Sequence, residues 1–62
     1  MDDKFTIAYD MDDRYRVVDW RGERPLETRD TFTQVEALTL MWSFEEHPER
    51  ADQGYIEWRQ MG

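Results

Sequence analysis

Sixty-two residues make room for a single small domain, residues 1–62, and a chain this short buries only about 60% of the surface it exposes unfolded. Fifteen Asp and Glu against eight Lys and Arg give a formal charge of −7, cysteine is absent, and 39% of the residues are apolar and 15% aromatic. These counts exclude a disulfide scaffold, a cysteine nucleophile and a Cys-ligated zinc, and no apolar run approaches the roughly 20 residues of a membrane-spanning helix. The acidic opening Met1-Asp2-Asp3 is unlike the positive start of a secretory signal, so a cytoplasmic location is expected. High charge favours disorder, but the aromatic residues are spread along the chain at strand and helix spacings, as a packed core requires.

In chain order, Lys4 to Tyr9 alternates Phe5, Ile7 and Tyr9 with Lys4, Thr6 and Ala8, the period of a half-buried strand. Asp10-Met11-Asp12-Asp13 suits a turn, because Asp carboxylates bond nearby backbone amides. Tyr15 to Trp20 returns as a second strand, with either Tyr15 and Val17 or Val18 and Trp20 facing inward. Arg21 to Pro25 reads as a loop, and Leu26 to Arg29 as a short edge strand, since Pro25 lacks an amide donor.

Thr33 and Glu36 fit a capping box, with Phe32 placed to staple onto the first turn. At 100° per residue Val35, Leu38 and Trp42 share a narrow helix face, widened by Ala37, Leu40, Met41 and Phe44, while Glu36, Thr39, Ser43 and Glu46 form the polar stripe. Pro48 stops the helix near Glu46. Glu49 to Gly54 follows as a polar loop and Tyr55 to Gln60 as the last strand. The expected fold is α+β: a three- or four-stranded antiparallel sheet with one helix packed on one face, in the order β-β-α-β. Phe5, Ile7, Val35, Leu38, Trp42, Ile56 and Trp58 are the expected core. The helix is apolar around more than half its circumference, more than one sheet face can cover, and such a surplus marks either an interface or a deeply wrapped helix.

No catalytic set is apparent, and the chain reads as a non-enzyme. An EF-hand beginning at Asp10 would place Arg14, Tyr15 and Arg21 where a ligand, Gly and Glu are needed. His47, the single histidine, lacks a triad or further zinc ligands and suits the negative end of the helix as a C-terminal cap. The three glycines, at 22, 54 and 62, form no phosphate loop. No cofactor and no metal are expected.

Charge is uneven along the chain. Residues 1–13 carry five Asp and one Lys, residues 14–29 five Arg against three acids, and residues 30–62 seven acids and two Arg. The central arginines suit bidentate pairing and interface contacts, and for Arg14 and Arg16 cross-strand pairing with neighbouring acids is the simpler reading. A chain at −7 is repelled by nucleic acid and anionic membranes but attracted to proteins that hold nucleic acid. Solubility alone is the competing explanation.

Asp2, Asp3, Asp10, Asp12 and Asp13 at one end, and Glu45, Glu46, Glu49, Asp52 and Glu57 at the other, give a profile that resembles the small acidic, cysteine-free inhibitors encoded by phages, especially anti-CRISPR proteins. The resemblance is one of size and charge over the whole chain and involves no shared motif. It implies binding to a basic surface of a CRISPR effector complex in the host cytoplasm and blockage of target DNA binding. Asp10, Asp12, Asp13, Glu45, Glu46 and Glu49 are the candidate partner-binding residues. The five-Arg segment departs from a DNA-like surface. A second reading is a small homo-oligomeric structural or regulatory, antitoxin-like protein, so monomer and homodimer both remain open.

Overall fold

The computed structural model describes residues 3–61; Asp2 lies outside them. β1 (Phe5–Tyr9), β2 (Tyr15–Asp19) and β3 (Leu26–Thr28) precede α1 (Gln34–Glu46), a short 3₁₀ turn (Pro48–Asp52) and β4 (Trp58–Gln60). The strands form one antiparallel sheet in the order β1-β2-β3-β4, and α1 lies across β1 and β2. The α+β architecture is as expected, with a fourth strand present. β3, however, is no edge strand: it sits between β2 and β4. Pro25 is accommodated just before it, where its carbonyl accepts the Met61 amide at 3.3 Å.

The pairing of Phe5 with Asp19, Ile7 with Val17 and Tyr9 with Tyr15 puts these residues on the helix-facing side, since side chains alternate across a strand. Tyr15 and Val17 are therefore the inward set of β2. Val18 faces the other way and is also buried, outside the main cluster. On that outer face the Trp20 indole donates to Thr6 Oγ1 at 2.9 Å and Arg59 reaches Glu27 at 2.7 Å.

The hairpin closes through Arg14 N donating to Met11 O at 2.9 Å. Both central residues of this turn have positive φ, 54° at Asp12 and 58° at Asp13, the signature of a type I′ turn. Beyond Glu27 the segment leading to the helix leaves the β2 ladder until Phe32, where Tyr15 and Phe32 exchange backbone bonds at 2.7 and 2.8 Å, and side chains take over the bonds in between. Thr28 Oγ1 accepts the Val17 amide at 3.2 Å. The Arg16 guanidinium donates to the carbonyls of Thr28 and Arg29 at 2.8 and 2.6 Å. Arg14 donates to Thr31 O at 2.7 Å. Arg14 thus binds backbone rather than an acid, whereas Arg16 does reach Asp10, at 3.4 Å.

The helix begins and ends as read. Thr33 Oγ1 accepts the Glu36 amide and Glu36 Oε1 accepts the Thr33 amide, a complete capping box. His47 is the C-cap, its amide donating to Ser43 O. The orientation of the helix differs from expectation. Ala37 and Phe44 are fully buried, Leu40 and Met41 pack against the core, and Val35 and Trp42 are 73% and 60% exposed. At 100° per residue Val35 and Trp42 stand almost opposite Ala37 and Phe44. Phe32 at N′ and Ala37 at N4 hold the two positions of a hydrophobic staple; Ala37 is in the core cluster and Phe32 packs against that cluster. Leu38 is only half-buried, as are Ile7, Ile56 and Trp58.

The core is aromatic. Phe44 lies between Phe5 and Trp58, with ring centroids 5.4 and 5.8 Å away. Trp58 Nε1 donates to Ala51 O at 2.9 Å, tying β4 to the 3₁₀ turn that replaces the expected polar loop and buries Ala51. Only Trp58–Gln60 of the expected last strand pairs; Tyr55–Glu57 follows Gly54, whose φ of 88° turns the chain before the ladder.

Candidate interaction surface

The six carboxylates expected to make the contact fall into two groups that the fold keeps apart. Asp10, Asp12 and Asp13 lie beyond the Tyr9 end of β1, whereas Glu45 is bonded at its Phe5 end. The strand between them spans about 14 Å at roughly 3.4 Å per residue. Within the first group, Asp10 pairs with Arg16, and Asp12 and Asp13 are exposed at the turn. In the second, Glu45 Oε1 accepts the backbone N–H of Phe5 at 3.0 Å, fastening the helix to the sheet. Glu49 Oε2 lies 3.5 Å from His47 Nδ1. Glu46 is exposed and makes no ion pair among the described residues.

The arginines are largely consumed by the fold. Besides Arg14 and Arg16, Arg29 pairs with Glu57 at 3.0 Å, Arg59 with Glu27, and Arg50 donates to Ser43 Oγ at 3.0 Å. Arg21 is the most heavily engaged. Its guanidinium meets Asp19 and Asp52, both at 2.9 Å, and stands 5.0 Å over the Phe5 ring. Asp19 is only 5% exposed, so a buried carboxylate, an arginine and the 3₁₀ turn close one side of the core. This clamp was not visible in the sequence, where Asp19 is simply the end of a strand.

The shifted titrations trace these structural bonds. Hydrogen bonds to Asp19 and then Asp52 raise the Arg21 pKa further above its ordinary value. The Arg21 hydrogen bond lowers that of Asp52. The Thr33 backbone amide, then its side chain, lowers that of Glu36. Among the described residues no three His, Asp or Glu side chains converge as a metal site would need, and no helix is long and apolar enough to cross a membrane.

One concavity adjoins the outward side of α1. Phe32, Val35, Leu40 and Ile56 form its apolar wall, with Glu36 and Thr39 among its polar groups, and it is an open groove of about 500 Å³. Val35 belongs both to this groove and to the exposed stripe that continues to Trp42. Reading Val35 and Trp42 as core residues concealed this surface. The polar stripe of Glu36, Thr39, Ser43 and Glu46, which faces away from Ala37, Met41 and Phe44 at 100° per residue, was a sequence signal that could have turned the helix correctly.

Comparison with known protein families, curated proteins and solved structures finds no match to the chain. The functional reading therefore rests on the geometry alone.

Proposed function

We propose that this chain is a small acidic binding protein that occupies a basic, nucleic-acid-holding surface of a larger protein and blocks it, as an anti-CRISPR inhibitor does to a CRISPR effector complex. The observation that carries the proposal is the asymmetric use of charge. Arginines 14, 16, 21, 29, 50 and 59 each bond to another group of the chain, those at 29, 50 and 59 on its exposed surface, while Asp12, Asp13 and Glu46 project outward without an ion pair among the described residues. The formal charge of −7 gives the field that draws in a basic groove. No chemistry is assigned to the site, and the reading is of a protein that acts by occupancy.

A competition assay tests it. Purified CRISPR effector complexes are loaded with target DNA in the presence of increasing amounts of the protein. Loss of DNA binding, relieved by raising salt, is expected for an effector that it inhibits. Unchanged DNA binding across a panel of effector types would refute the anti-CRISPR assignment.

The exposed Val35 and Trp42 favour one other reading, a homo-oligomer joined through the helix. Light scattering on the isolated chain separates the two. A monomer is expected for the inhibitor; a stable dimer at micromolar concentration supports the second reading.

A further inference from the structure

We infer that the outward face of α1, from Val35 to Trp42 together with the adjoining groove, is the docking surface, and that it receives an apolar side chain of a partner protein ringed by Lys or Arg. This deepens the proposed function by moving the contact from the hairpin tip to the helix, and it rests on that reading only for the sign of the partner's charge.

The first support is unexplained exposure. Trp42 is 60% and Val35 73% exposed, two turns apart on a helix whose opposite side already fills the core. Nothing in the fold requires an aromatic ring at Trp42, and Trp is the residue type most enriched at the energetic centres of interfaces. The turn aspartates differ, because the left-handed backbone at Asp12 and Asp13 accounts for their presence without a partner. The second support is shape. The groove of about 500 Å³ beside Val35 is large enough to admit a side chain, and its Phe32, Leu40 and Ile56 lining would bury an apolar one.

The third support is charge, and it selects the occupant. α1 contains Glu36, Glu45 and Glu46 and no Lys or Arg. Two cations stand nearby, Arg50 on Ser43 Oγ and Arg14 on Thr31; both partners are neutral and both charges persist, so the face is acidic only by its excess of carboxylates, in a chain of formal charge −7. A second copy docking by this same face would set these carboxylates against their own duplicates in an isologous contact, and like charges brought together at an interface are costly. A partner with cations around an apolar projection meets the opposite sign at both ends of the helix. Helix-face recognition by anchors at i and i+7 is an established mode of docking.

The probe is a synthetic amphipathic Leu/Lys helix, with a Leu/Glu helix of the same pattern as its control, titrated into ¹⁵N-labelled protein at about 0.15 M salt, where surface charges are screened beyond about 8 Å. The indole N–H groups of Trp42, Trp20 and Trp58 report on the helix face, the outer sheet face and the core. The Leu/Lys peptide is expected to shift the Trp42 indole and the Val35 and Thr39 amides, leaving Trp20 and Trp58 in place. Trp42→Ala and Val35→Ser should each weaken it at least tenfold, with native spectra confirming that both variants fold. Asp12→Lys with Asp13→Lys should weaken it less than threefold.

Shifts centred on Asp12 and Asp13, with Trp42→Ala binding normally, would overturn the docking face while leaving the acidic inhibitor reading intact. Equal binding of the Leu/Glu peptide in the groove would keep the face but overturn the cationic occupant. Failure of the Leu/Lys peptide to bind at millimolar concentration would also overturn the inference, whatever the outcome of DNA competition on effectors.

Discussion

The two sides of α1 are both apolar, yet only one is in the core. The inward side offers Ala37, Leu40, Met41 and Phe44; the outward side offers Val35 and Trp42, with Thr39 between them and Glu46 one turn beyond Trp42. The polar Thr39 and Glu46 already count against burying the outward side. Shape adds to this. Ala37 lets the helix approach the sheet closely, and Phe44, one further heptad along, fills the space between Phe5 and Trp58. Tryptophan at that point would overfill a site closed by two other aromatic rings. Position relative to the cap and the staple, more than the total of apolar residues, decides which way a short helix turns.

Truncating one residue on each side should separate the two most sharply. Phe44→Ala should cost about 3–5 kcal/mol, the usual loss for a large buried aromatic, and in a domain of this size that approaches the whole stability. Trp42→Ala should change stability by less than about 0.5 kcal/mol, as at other exposed positions. Urea unfolding followed by far-ultraviolet circular dichroism measures both. Equal losses would mean that the outward side is packed after all, and the interface argument would lose its basis.

These two residues also show how far the sequence could be read. Turn, cap, staple, helix end and β1–β2 hairpin follow from local rules, because each depends on residues within a few positions of one another. The helix orientation was legible in the polar stripe of Glu36, Thr39, Ser43 and Glu46, which Val35 and Trp42 border at 100° per residue, and in the staple positions of Phe32 and Ala37. The clamp at Arg21 was not legible, because Asp19 and Asp52 meet it only once β2 and the 3₁₀ turn are folded together. The same holds for the groove, whose Phe32 and Ile56 come from segments separated by the helix. The acidic site residues were legible as charges but not as bonds: Glu45 proves to be a tie to the Phe5 amide, a pairing 40 positions apart that no spacing rule anticipates.

Next in expected size is the polar edge of the inward side. Arg21→Ala leaves Asp19 buried with its cation removed, and breaking such a pair from one side should cost about 2–3 kcal/mol, somewhat below the 3–5 of a fully enclosed pair because Arg21 is partly exposed. Arg21→Lys should recover only part of this, since an ammonium cannot reproduce the forked contact to Asp19 and Asp52. Thermal unfolding of the three proteins orders them wild type, Lys, Ala. A Lys variant equal to wild type would reduce the clamp to simple charge.

Acid should affect both sides of the helix. Asp52, beside Arg21, and Glu36, in the capping box, have folded pKa values below their ordinary ones. Each therefore contributes stability that is complete above the unfolded carboxylate range, about pH 4, and is lost as pH falls through the folded value. The melting temperature should hold between pH 5 and 7 (about one unit and more above that range) and fall below it. Thr33→Ala should cost about 1 kcal/mol near neutrality through the lost cap, and Glu36→Gln, which removes the carboxylate bonded by the Thr33 backbone amide, should flatten the Glu36 part of the acid limb. An acid limb unaltered by both Glu36→Gln and Arg21→Ala would place the titrating carboxylates elsewhere.

The smallest effect is expected at the hairpin tip, and it carries the sharpest contrast with the outward helix face. Asp13 occupies a left-handed conformation, φ 58°, that costs an ordinary L-residue about 1–2 kcal/mol, less for Asp because its carboxylate bonds locally. Glycine removes that strain but gives the unfolded chain more freedom, an opposing term of about 0.4–1 kcal/mol. The difference should favour Asp13→Gly by about 0.5 kcal/mol, as the preference for Gly in type I′ turns implies, and it should appear as a small rise in the urea midpoint. Because the substitution also removes a charge from the tip, it separates two reasons for an aspartate there. If the turn alone accounts for the residue, the variant is slightly more stable and binds a cationic partner almost as before. A variant that gains stability but loses binding severely would mean that the fold tolerates strain at Asp13 for the sake of contact, and the interface would then lie at the tip, away from Trp42.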